Sequence, residues 1–180
     1  MSFQKSYESI PLMTIDTSKS YLAKIETDLG TIELKLFPEI APQTVNNFVF
    51  LASEDFYVGS PFHRVIQDFM IQGGDPTGSG RGGPGYTIPD EFPTMSNPYK
   101  IGTIAMANTG RANSGGSQFF IVTGGAGVSL PPAYTVFGQV TSGMEVVNQI
   151  SADGAPPFDP TGAGVPMIEH FIQSVKIEVS

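Results

Sequence analysis

Short apolar runs, separated by glycine-rich and proline-rich turns, make up most of this chain. In residues 31–37 the apolar Ile32, Leu34 and Leu36 alternate with polar residues, which is typical of a strand with one buried face. The chain has 21 glycines and 15 prolines, and both residue types interrupt helices. The sequence therefore predicts a mainly β protein with few helices.

Only two segments have the residue spacing of a helix. Residues 41–53 include Pro42, which suits a first helical turn, and carry apolar residues at three-residue and four-residue intervals. Residues 144–150 form the second, with Ser142 as a candidate N-cap. Many short strands with only two helices favour a closed antiparallel β-barrel with helices over its open ends. The strand-like runs are residues 21–27, 31–37, 62–66, 70–72, 101–106, 118–123, 136–140 and 171–179.

The length of 180 residues fits one domain with a substantial core. No internal repeat or low-complexity linker divides the chain. Residues 1–20 are polar and irregular, so we expect an N-terminal arm that lies on the surface of the domain. The domain itself is expected to span residues 21–180.

Charge and composition exclude several classes of protein. The formal net charge is −8 and the basic residues are scattered, which argues against non-specific binding of nucleic acid. There is no cysteine, so a disulfide scaffold, a thiol nucleophile and a thiolate metal site are excluded.

Two observations bear on membranes and on the compartment. The uncharged residues 112–144 are too polar for a membrane span, which needs about 20 predominantly apolar residues. The chain does not open with a basic region followed by an apolar run, so we expect a cytoplasmic protein without a signal peptide. A secreted or periplasmic protein whose signal had been removed would have the same sequence.

One arginine lies among large apolar side chains in residues 62–75. A charged side chain in such surroundings is usually paired or functional. At a period of two, Phe62, Arg64 and Ile66 would share one face of a strand. The segment continues with Phe69, Met70 and Gln72. An arginine, a glutamine and a Phe/Met pair together make a pocket that is apolar at its floor and hydrogen-bonding at its rim, which predicts a binding site.

A second segment, residues 104–122, has the same character. Its polar, glycine-rich loop, residues 109–116, separates two strand-like runs and should lie at the surface. In the second run Gln118 and Phe120 fall on one face and Phe119 on the other. A second glutamine and a second aromatic ring on a common face match the first segment.

Simpler interpretations exist for single residues. Arg64 could be a structural arginine paired with Glu91 or Asp68. Phe69 and Met70 could belong to an ordinary core, since methionine often fills gaps there.

Three other functional motifs are rejected. Residues 78–83 satisfy the dinucleotide pattern GxGxxG, but Pro84 stands where a helix must begin, so this run predicts a surface loop beside the groove. His63 and His170 are the only histidines and do not form a ligand-spaced cluster, so no metal site is expected. No serine lies in a GxSxG elbow. His63 is expected to be structural and hydrogen-bonded at the edge of the groove.

Together, these segments resemble the cyclophilin family of peptidyl-prolyl cis–trans isomerases. The resemblance covers residues 21–179 and rests on several motifs in order: FHRVI at 62–66, FMIQGGD at 69–75, MAN at 106–108, GSQFFI at 116–121 and TVFG at 135–138. It implies an eight-stranded antiparallel β-barrel capped by two α-helices, with the active groove on the outer face of the barrel. It also implies an enzyme that accelerates rotation about X–Pro peptide bonds and assists protein folding, without a covalent intermediate, cofactor or metal.

The resemblance also implies roles for particular residues. Arg64 would be the catalytic arginine. The proline pocket would be lined by Phe69, Met70, Phe120 and Leu130, and the peptide would be held by Gln72, Ala107, Asn108 and Gln118. Tyr134 stands where many members have a histidine, and could offer its hydroxyl to the substrate backbone.

The chain departs from the family pattern at two further points. Gln67 and Asp68 replace a common Pro-Gly pair, and Asp68 brings a negative charge near Arg64 that could orient or partly neutralise it. Many members have a tryptophan just before the residue that corresponds to Leu130, and this chain has no tryptophan. Tight binding of the cyclic peptide cyclosporin is therefore doubtful. These replacements and the acidic charge resemble bacterial members.

The residues leave more than one function open. The leading hypothesis is a monomeric prolyl isomerase that acts on proline-containing peptides and on unfolded or folding protein chains. The alternative is a proline-peptide binding module with weak or no turnover. A barrel that binds a small molecule or sugar inside is a third possibility, but the large apolar residues on the strands argue that the interior is filled.

Overall fold

The structure, a computed structural model, describes residues 4–180 and contains eight strands and three helices in that range. In chain order these are β1 (Tyr21–Thr27), β2 (Gly30–Leu36), α1 (Pro42–Ser53), β3 (Arg64–Ile66), β4 (Met70–Gly73), β5 (Thr103–Met106), β6 (Phe119–Val122), α2 (Gly125–Val128), β7 (Val136–Ser142), α3 (Met144–Ala152) and β8 (Ile172–Val179). Each of the eight predicted strands is present, so the mainly β prediction is confirmed.

The strands form one antiparallel sheet in the order β3-β4-β6-β5-β7-β2-β1-β8. The prediction of a closed barrel is wrong, because β3 and β8, at the two ends, do not pair as a ladder in the described part of the chain. Backbone hydrogen bonds connect the two ends of the sheet, at residues that precede β3 in the chain. There Ile172 N–H donates to Ser60 O at 2.9 Å, and Phe62 N–H donates to His170 O at 2.9 Å. The sheet is therefore curled but open.

The chain between α3 and β8 covers the edge of β3 that does not pair with β4. Val65 N–H donates to Gly164 O at 2.8 Å, and Ala155 N–H donates to Val65 O at 2.9 Å. Backbone groups at a strand edge need partners, and here the chain between α3 and β8 supplies them. Because the backbone groups on this edge of β3 are already hydrogen-bonded, β8 cannot form a ladder with β3.

The N-terminus of α1 is capped from a distant loop. Ala41, at the N-cap position, has no side chain that can accept a hydrogen bond. The Glu91 carboxylate instead accepts the N–H of Thr44 at 2.7 Å and of Gln43 at 3.2 Å. A carboxylate at this place satisfies the free N–H groups and interacts favourably with the helix dipole.

The other helices differ from the prediction. The expected cap Ser142 belongs to β7, and α3 instead follows Gly143, whose φ of +87° favours glycine. The four-residue α2 was not expected, so the described chain has three helices instead of two. No helix among residues 4–180 is long and apolar enough to cross a membrane.

The inner face of the curled sheet is filled by aromatic and aliphatic side chains. The ring of Phe48 on α1 lies 5.4 Å from that of Phe137, 5.9 Å from that of Phe119 and 5.3 Å from that of Tyr57, measured between ring centroids. Each of these four side chains is at most 1% exposed. This packing fills the space that an internal ligand would need, as the sequence predicts.

The described part of the N-terminal arm, residues 4–20, lies against the domain. The side chain of Asn46 on α1 donates to Leu12 O at 3.0 Å. Tyr7 packs its ring against the main core, and its N–H donates to a backbone carbonyl of the domain at 2.8 Å. Residues 1–3 of the predicted arm lie outside the described residues.

One histidine connects three parts of the fold. His170, just before β8, is 5% exposed, and its Nδ1 and Nε2 lie 2.7 Å and 2.8 Å from the carboxylates of Asp28 and Asp153. Burial opposes the charged form, but the two carboxylates outweigh it and raise the pKa of His170. The hydrogen bond with His170 is the main cause that lowers the pKa of Asp153. The pKa of Asp28 is also lowered, against the effect of burial. The imidazole thus joins the β1–β2 turn to the end of α3, and the two carboxylates favour its charged form.

These contacts should make the free energy of unfolding depend on pH. Because the pKa of His170 is raised, its contribution is fully present below about pH 6.5 and is lost as the pH rises through the higher folded value. The aspartate contributions, with lowered pKa values, are present above about pH 3.9 and are lost at lower pH. His170→Gln keeps much of the volume but cannot become charged. Urea unfolding should therefore show a larger difference between wild type and His170→Gln at about pH 5.5 than at about pH 9.

The difference between the two proteins cancels the effect of other titrating groups. An equal difference at both pH values would contradict a charged His170.

Candidate active site

Strand register brings polar and apolar side chains together on the outer face of the sheet. Arg64 of β3 pairs with Gln72 of β4, and Gln72 pairs with Phe120 of β6. Phe120 in turn pairs with Ala105 of β5. Directly paired residues in antiparallel strands point to the same face, with Cβ atoms about 5 Å apart. One row across four strands therefore carries an arginine, a glutamine and a phenylalanine.

A neighbouring row supplies an apolar floor. Met70 of β4 pairs with Ile66 of β3 and with Val122 of β6. Met70 is 1% exposed and Phe120 is 4% exposed, although both point away from the main core. They belong to a second apolar cluster on the outer face: Ile66, Met70, Tyr99, Ala105, Phe120 and Val122.

A small pocket of about 100 Å³ opens above this floor. Its lining consists of predicted site residues: Arg64, Phe69, Met70, Gln72, Ala107, Asn108, Phe120, Leu130 and Tyr134. The remaining predicted residue, Gln118, lines an adjoining cleft, and its Oε1 accepts a hydrogen bond from Gln72 Nε2 at 3.0 Å. The structure thus brings all the predicted site residues into one region.

Tyr134 forms one wall of the pocket. Its ring meets that of Phe120 edge-on, with centroids 5.3 Å apart and an interplanar angle of 90°. The N–H of Tyr134 donates to the Tyr99 hydroxyl at 3.2 Å, and that hydroxyl donates to Pro131 O at 2.9 Å. These bonds hold the loop before β7 so that the tyrosine ring stands beside the floor.

The guanidinium of Arg64 lies at the edge of the pocket. Its Nη2 donates to Gly162 O at 3.3 Å, and its Cζ lies 5.8 Å from the centroid of the Phe69 ring. Among residues 4–180 it forms no salt bridge and no other hydrogen bond. Burial lowers the pKa of Arg64, while Tyr134 and Asp159 favour the charged form. Arginine starts from so high a pKa that it stays charged, so a positive group with free donors borders the pocket.

The two carboxylates considered as partners of Arg64 make other contacts. Glu91 caps α1. The carboxylate of Asp68 accepts the N–H of Gly125 at 3.2 Å, and its backbone φ is +56°. The expectation that Asp68 orients or neutralises Arg64 is therefore wrong, since Asp159 is the carboxylate that acts on the arginine.

Hydrogen-bonding groups line the edge of the groove. Gln118 Nε2 donates to Gly82 O at 3.0 Å, which extends the bond between Gln72 and Gln118 into a short chain. Asn108 uses its side chain within the protein, where Nδ2 donates to Ala133 O at 2.9 Å. Its backbone N–H and C=O make no hydrogen bond with any residue of the range 4–180. Such a free pair can bind an extended peptide as an added strand.

A larger cleft of about 980 Å³ adjoins the pocket and shares part of its lining. One wall is formed by residues 80–83, so the GxGxxG run is a surface loop beside the groove, as predicted. Gln4 and Ser6 of the N-terminal arm also line the cleft. Gln4 Nε2 donates to Gly83 O at 3.0 Å, which attaches the arm to this loop.

Asp75 holds the loop in shape from below. Its side chain is buried and accepts the N–H of Thr77 at 2.8 Å, of Gly80 at 2.7 Å and of Gly82 at 3.0 Å. Burial raises the pKa of such a carboxyl, but these hydrogen bonds outweigh it and lower the pKa of Asp75. The loop beside the cleft is thus built around one ionised carboxylate.

Two residues of the first segment differ from what the sequence predicts. Phe62 precedes β3 and packs in the main core with Val65, so it does not share the outer face of Arg64. His63 lies beneath Gly80, and both its ring nitrogens are buried without a hydrogen-bond partner among residues 4–180. The hydrogen bond expected for His63 therefore does not form with normal distance and angle; burial lowers the pKa of His63, and Asp75 and the nearby Gln118 side chain oppose this shift only in part.

One segment beside the pocket has no counterpart among the predicted site residues. Residues 159–164 lie against β3 and supply the carbonyl of Gly162 to Arg64. Their sequence, DPTGAG, repeats the DPTGSG of residues 75–80 with one change. This six-residue repeat is the signal by which the segment could have been found, although it is a loop motif and does not divide the chain into units.

Comparison with known proteins relates the chain to one family. The family model described as cyclophilin type peptidyl-prolyl cis-trans isomerase/CLD matches residues 22–177. A peptidyl-prolyl cis-trans isomerase of Helicobacter pylori is 46% identical over 150 residues, which cover 78% of this chain and 89% of that protein. Peptidyl-prolyl cis-trans isomerase B of Bacillus subtilis is 49% identical over 124 residues, which cover 69% of this chain and 85% of that protein.

Solved structures agree with the sequence comparison. A crystal structure of a cyclophilin type peptidyl-prolyl cis-trans isomerase of Cryptosporidium parvum matches with a TM-score of 0.75 and 32% identity, covering 88% of this chain and 98% of that chain. A second crystal structure of that isomerase, in the presence of the dipeptide Ala-Pro, matches with a TM-score of 0.74 and 33% identity. It covers 87% of this chain and 98% of that chain.

Removing the Asp75 carboxylate should loosen the loop beside the cleft. Asp75→Ala leaves the N–H groups of Gly80 and Gly82 without their acceptor, so the free energy of unfolding should fall by about 3 kcal/mol. Urea unfolding measures this loss, and hydrogen exchange should accelerate at the two glycine amides.

Asp75→Asn is the matched control, since it keeps one acceptor oxygen and should lose less stability. An Asp75→Ala protein as stable as wild type would contradict this role of the carboxylate.

Proposed function

Since the chain belongs to the cyclophilin family of peptidyl-prolyl cis–trans isomerases, we propose that its outer groove binds X–Pro segments and that Arg64 accelerates their isomerisation. The chain is an isomerase of this type. The observation that supports these residue roles is one small pocket with an apolar floor and a charged arginine at its edge.

The reaction requires only that a twisted peptide bond be stabilised. Rotation about an X–Pro bond is slow because resonance sets a barrier of ~20 kcal/mol. No bond breaks, so neither a nucleophile nor a cofactor is needed. In the twisted state resonance is lost and the proline nitrogen carries a lone pair. A donor directed at that lone pair binds the twisted state better than either planar state, which is the condition for catalysis.

Arg64 fits the donor role. One Nη group bonds to Gly162 O, while its other N–H groups make no hydrogen bond with residues 4–180 and are available to a substrate. The guanidinium is planar and stays charged. A ~10⁵-fold acceleration corresponds to about 7 kcal/mol of differential stabilisation. One charge-assisted hydrogen bond together with orientation in a dry pocket can supply this amount.

The apolar pocket fits the proline ring. Met70 and Phe120 would lie beneath the ring, and the partly buried Phe69 and Leu130 would contact its edges. A volume of about 100 Å³ suits one small ring and not a longer segment. With the ring clamped, rotation would take place on the acyl side of the bond.

The groove edge would hold the peptide on either side of the proline. The free N–H and C=O of Asn108 would pair with the substrate backbone, as an added strand does. The side chain of Gln72 and the hydroxyl of Tyr134 border the same pocket and would bind neighbouring carbonyl groups. We propose that the protein acts as a monomer on X–Pro segments exposed by folding proteins.

Removing the Arg64 guanidinium should abolish most of the catalysis. Arg64→Ala and Arg64→Lys should lower kcat/KM for a short Ala-Pro peptide by about 10²–10³-fold, because the donor to the proline nitrogen is lost or displaced. NMR exchange spectroscopy at several peptide concentrations measures both exchange and binding. Thermal unfolding shows whether the variants are folded.

Asp68→Asn is the matched control for Arg64. The Asp68 carboxylate contacts Gly125 and not the arginine, and asparagine keeps the acceptor and tolerates the positive φ. Its kcat/KM should therefore stay within about twofold of wild type. Wild-type protein that binds the peptide without faster exchange would favour the alternative of a proline-peptide binding module. Full activity of Arg64→Ala would contradict the role given to the arginine.

Cyclosporin should inhibit this protein weakly. Ser129 precedes Leu130, at the place where many cyclophilins have a tryptophan, and the chain has no tryptophan. Ser129 is exposed, so a larger side chain there would extend over the rim of the pocket. Ser129→Trp adds an aromatic ring and an indole N–H, and should lower the inhibition constant by about tenfold or more. Equal inhibition of both proteins by cyclosporin would contradict this prediction.

A further inference from the structure

Two loops beside the groove share a sequence and a hydrogen-bond pattern. They span residues 75–80 (DPTGSG) and 159–164 (DPTGAG). In each, aspartate Oδ1 accepts the N–H of the threonine two residues later, at 2.8 Å and 3.0 Å, and its hydroxyl, at 2.7 Å in both. Aspartate Oδ2 accepts the N–H of the last glycine, at 2.7 Å and 2.8 Å. The same six-residue pattern therefore forms the same closed loop twice.

The two glycines of each loop share an unusual backbone conformation. Gly162 and Gly164 have φ values of +64° and +65°, and the corresponding Gly78 and Gly80 have φ values of +66° and +77°. Other L-residues rarely adopt these values. In the second loop this conformation directs the carbonyl of Gly162 outward from the turn to Arg64.

The second loop, residues 159–164, contacts both the head and the stem of Arg64. Gly162 O accepts a hydrogen bond from Arg64 Nη2 at 3.3 Å. Gly164 lies against the stem, since a Cβ atom added there would approach Arg64 Cγ to 2.8 Å. Gly164 O also accepts the N–H of Val65 on β3 at 2.8 Å. The loop is therefore attached to the same strand that carries the arginine.

We propose that residues 159–164 position the Arg64 guanidinium for catalysis, and that Asp159 is the positioning residue that gives this loop its shape. The proposal rests on the catalytic role proposed above for Arg64. Asp159 acts through the arginine and does not touch the substrate.

A carbonyl partner orients the guanidinium without neutralising it. A carboxylate in direct contact would offset much of the positive charge that the lone pair of the twisted substrate needs. The carboxylate of Asp159 is instead turned into its own loop, where it is bonded to Thr161 and Gly164. These bonds, and more weakly the charge of Arg64, lower the pKa of Asp159. Arg64 thus keeps its charge and has one described protein partner for its donors.

The tip of the loop lies outside the core of the fold. Residues 160–163 are exposed and belong to neither apolar cluster. Removing Asp159 should therefore change the shape of the loop without unfolding the domain. This allows a positioning role to be tested in a folded protein.

Asp159→Ala should lower kcat for an Ala-Pro peptide by about tenfold and leave KM within about twofold, because substrate contacts are intact and only the orientation of Arg64 is lost. Asp159→Asn keeps an acceptor for Thr161 and should recover most of kcat. Asp16→Ala is the matched control. Asp16 accepts the N–H of Ser18 at 2.9 Å in a similar exposed turn but lines neither the pocket nor the cleft.

Two readouts separate positioning from a general effect on structure. In an Arg64→Ala background nothing remains to be positioned, so adding Asp159→Ala should change the residual kcat by less than about twofold. In the otherwise wild-type protein, ¹⁵N relaxation should show greater motion of the Arg64 Nε–H group in Asp159→Ala than in Asp16→Ala.

Three results would overturn the proposal: a wild-type kcat for Asp159→Ala, a loss of kcat that persists undiminished in the Arg64→Ala background, or unchanged motion of Arg64 Nε–H. If Arg64→Ala is inactive while Asp159→Ala has the kcat of wild type, the positioning proposal fails but the catalytic role of Arg64 stands. If Arg64→Ala is itself fully active, the catalytic assignment of the arginine fails, and the positioning proposal fails with it.

Discussion

The antiparallel register of β4 against β3 and β6 is the constraint on which the groove depends. It sets Arg64 opposite Gln72 and Gln72 opposite Phe120. A shift of β4 by one residue would turn Ile71 outward and carry Met70 and Gln72 into the core. The inner face prevents this shift, because Ile71 is fully buried in the main core. The burial that stabilises the fold therefore also aligns the site.

The edge strand β3 joins the architecture of the sheet to the chemistry of the site. It has only three residues and carries Arg64 at its first position. Its outer edge is covered by the chain between α3 and β8, which provides hydrogen bonds at Ala155 and Gly164. A continuous ladder with β8 would occupy this edge and displace the loop that bonds to the arginine. The open sheet and the contact of Arg64 with Gly162 are thus consequences of one arrangement.

Much of the fold could be predicted because it depends on neighbouring residues. Short apolar runs, which alternate with polar residues in β2 and β8, identified every strand, and the apolar spacing identified α1 and α3. The motifs on β3, β4 and β6 pointed to residues that the register brings together. Three of the errors lie where distant segments meet: Asp68 turns to Gly125, Glu91 caps α1, and β8 does not close the barrel. None of these contacts leaves a signal in the local pattern.

The sequence by itself determined the strands, the two main helices and the residue types available to the groove, because periodicity and motifs act over a few neighbouring residues. Only the tertiary structure decided which partner each of these residues has. Asp68 is close to Arg64 in sequence, yet the acceptor of the arginine is Gly162 and the carboxylate that acts on it is Asp159. Contacts between remote segments depend on how the whole chain packs around its core, and sequence proximity does not specify them.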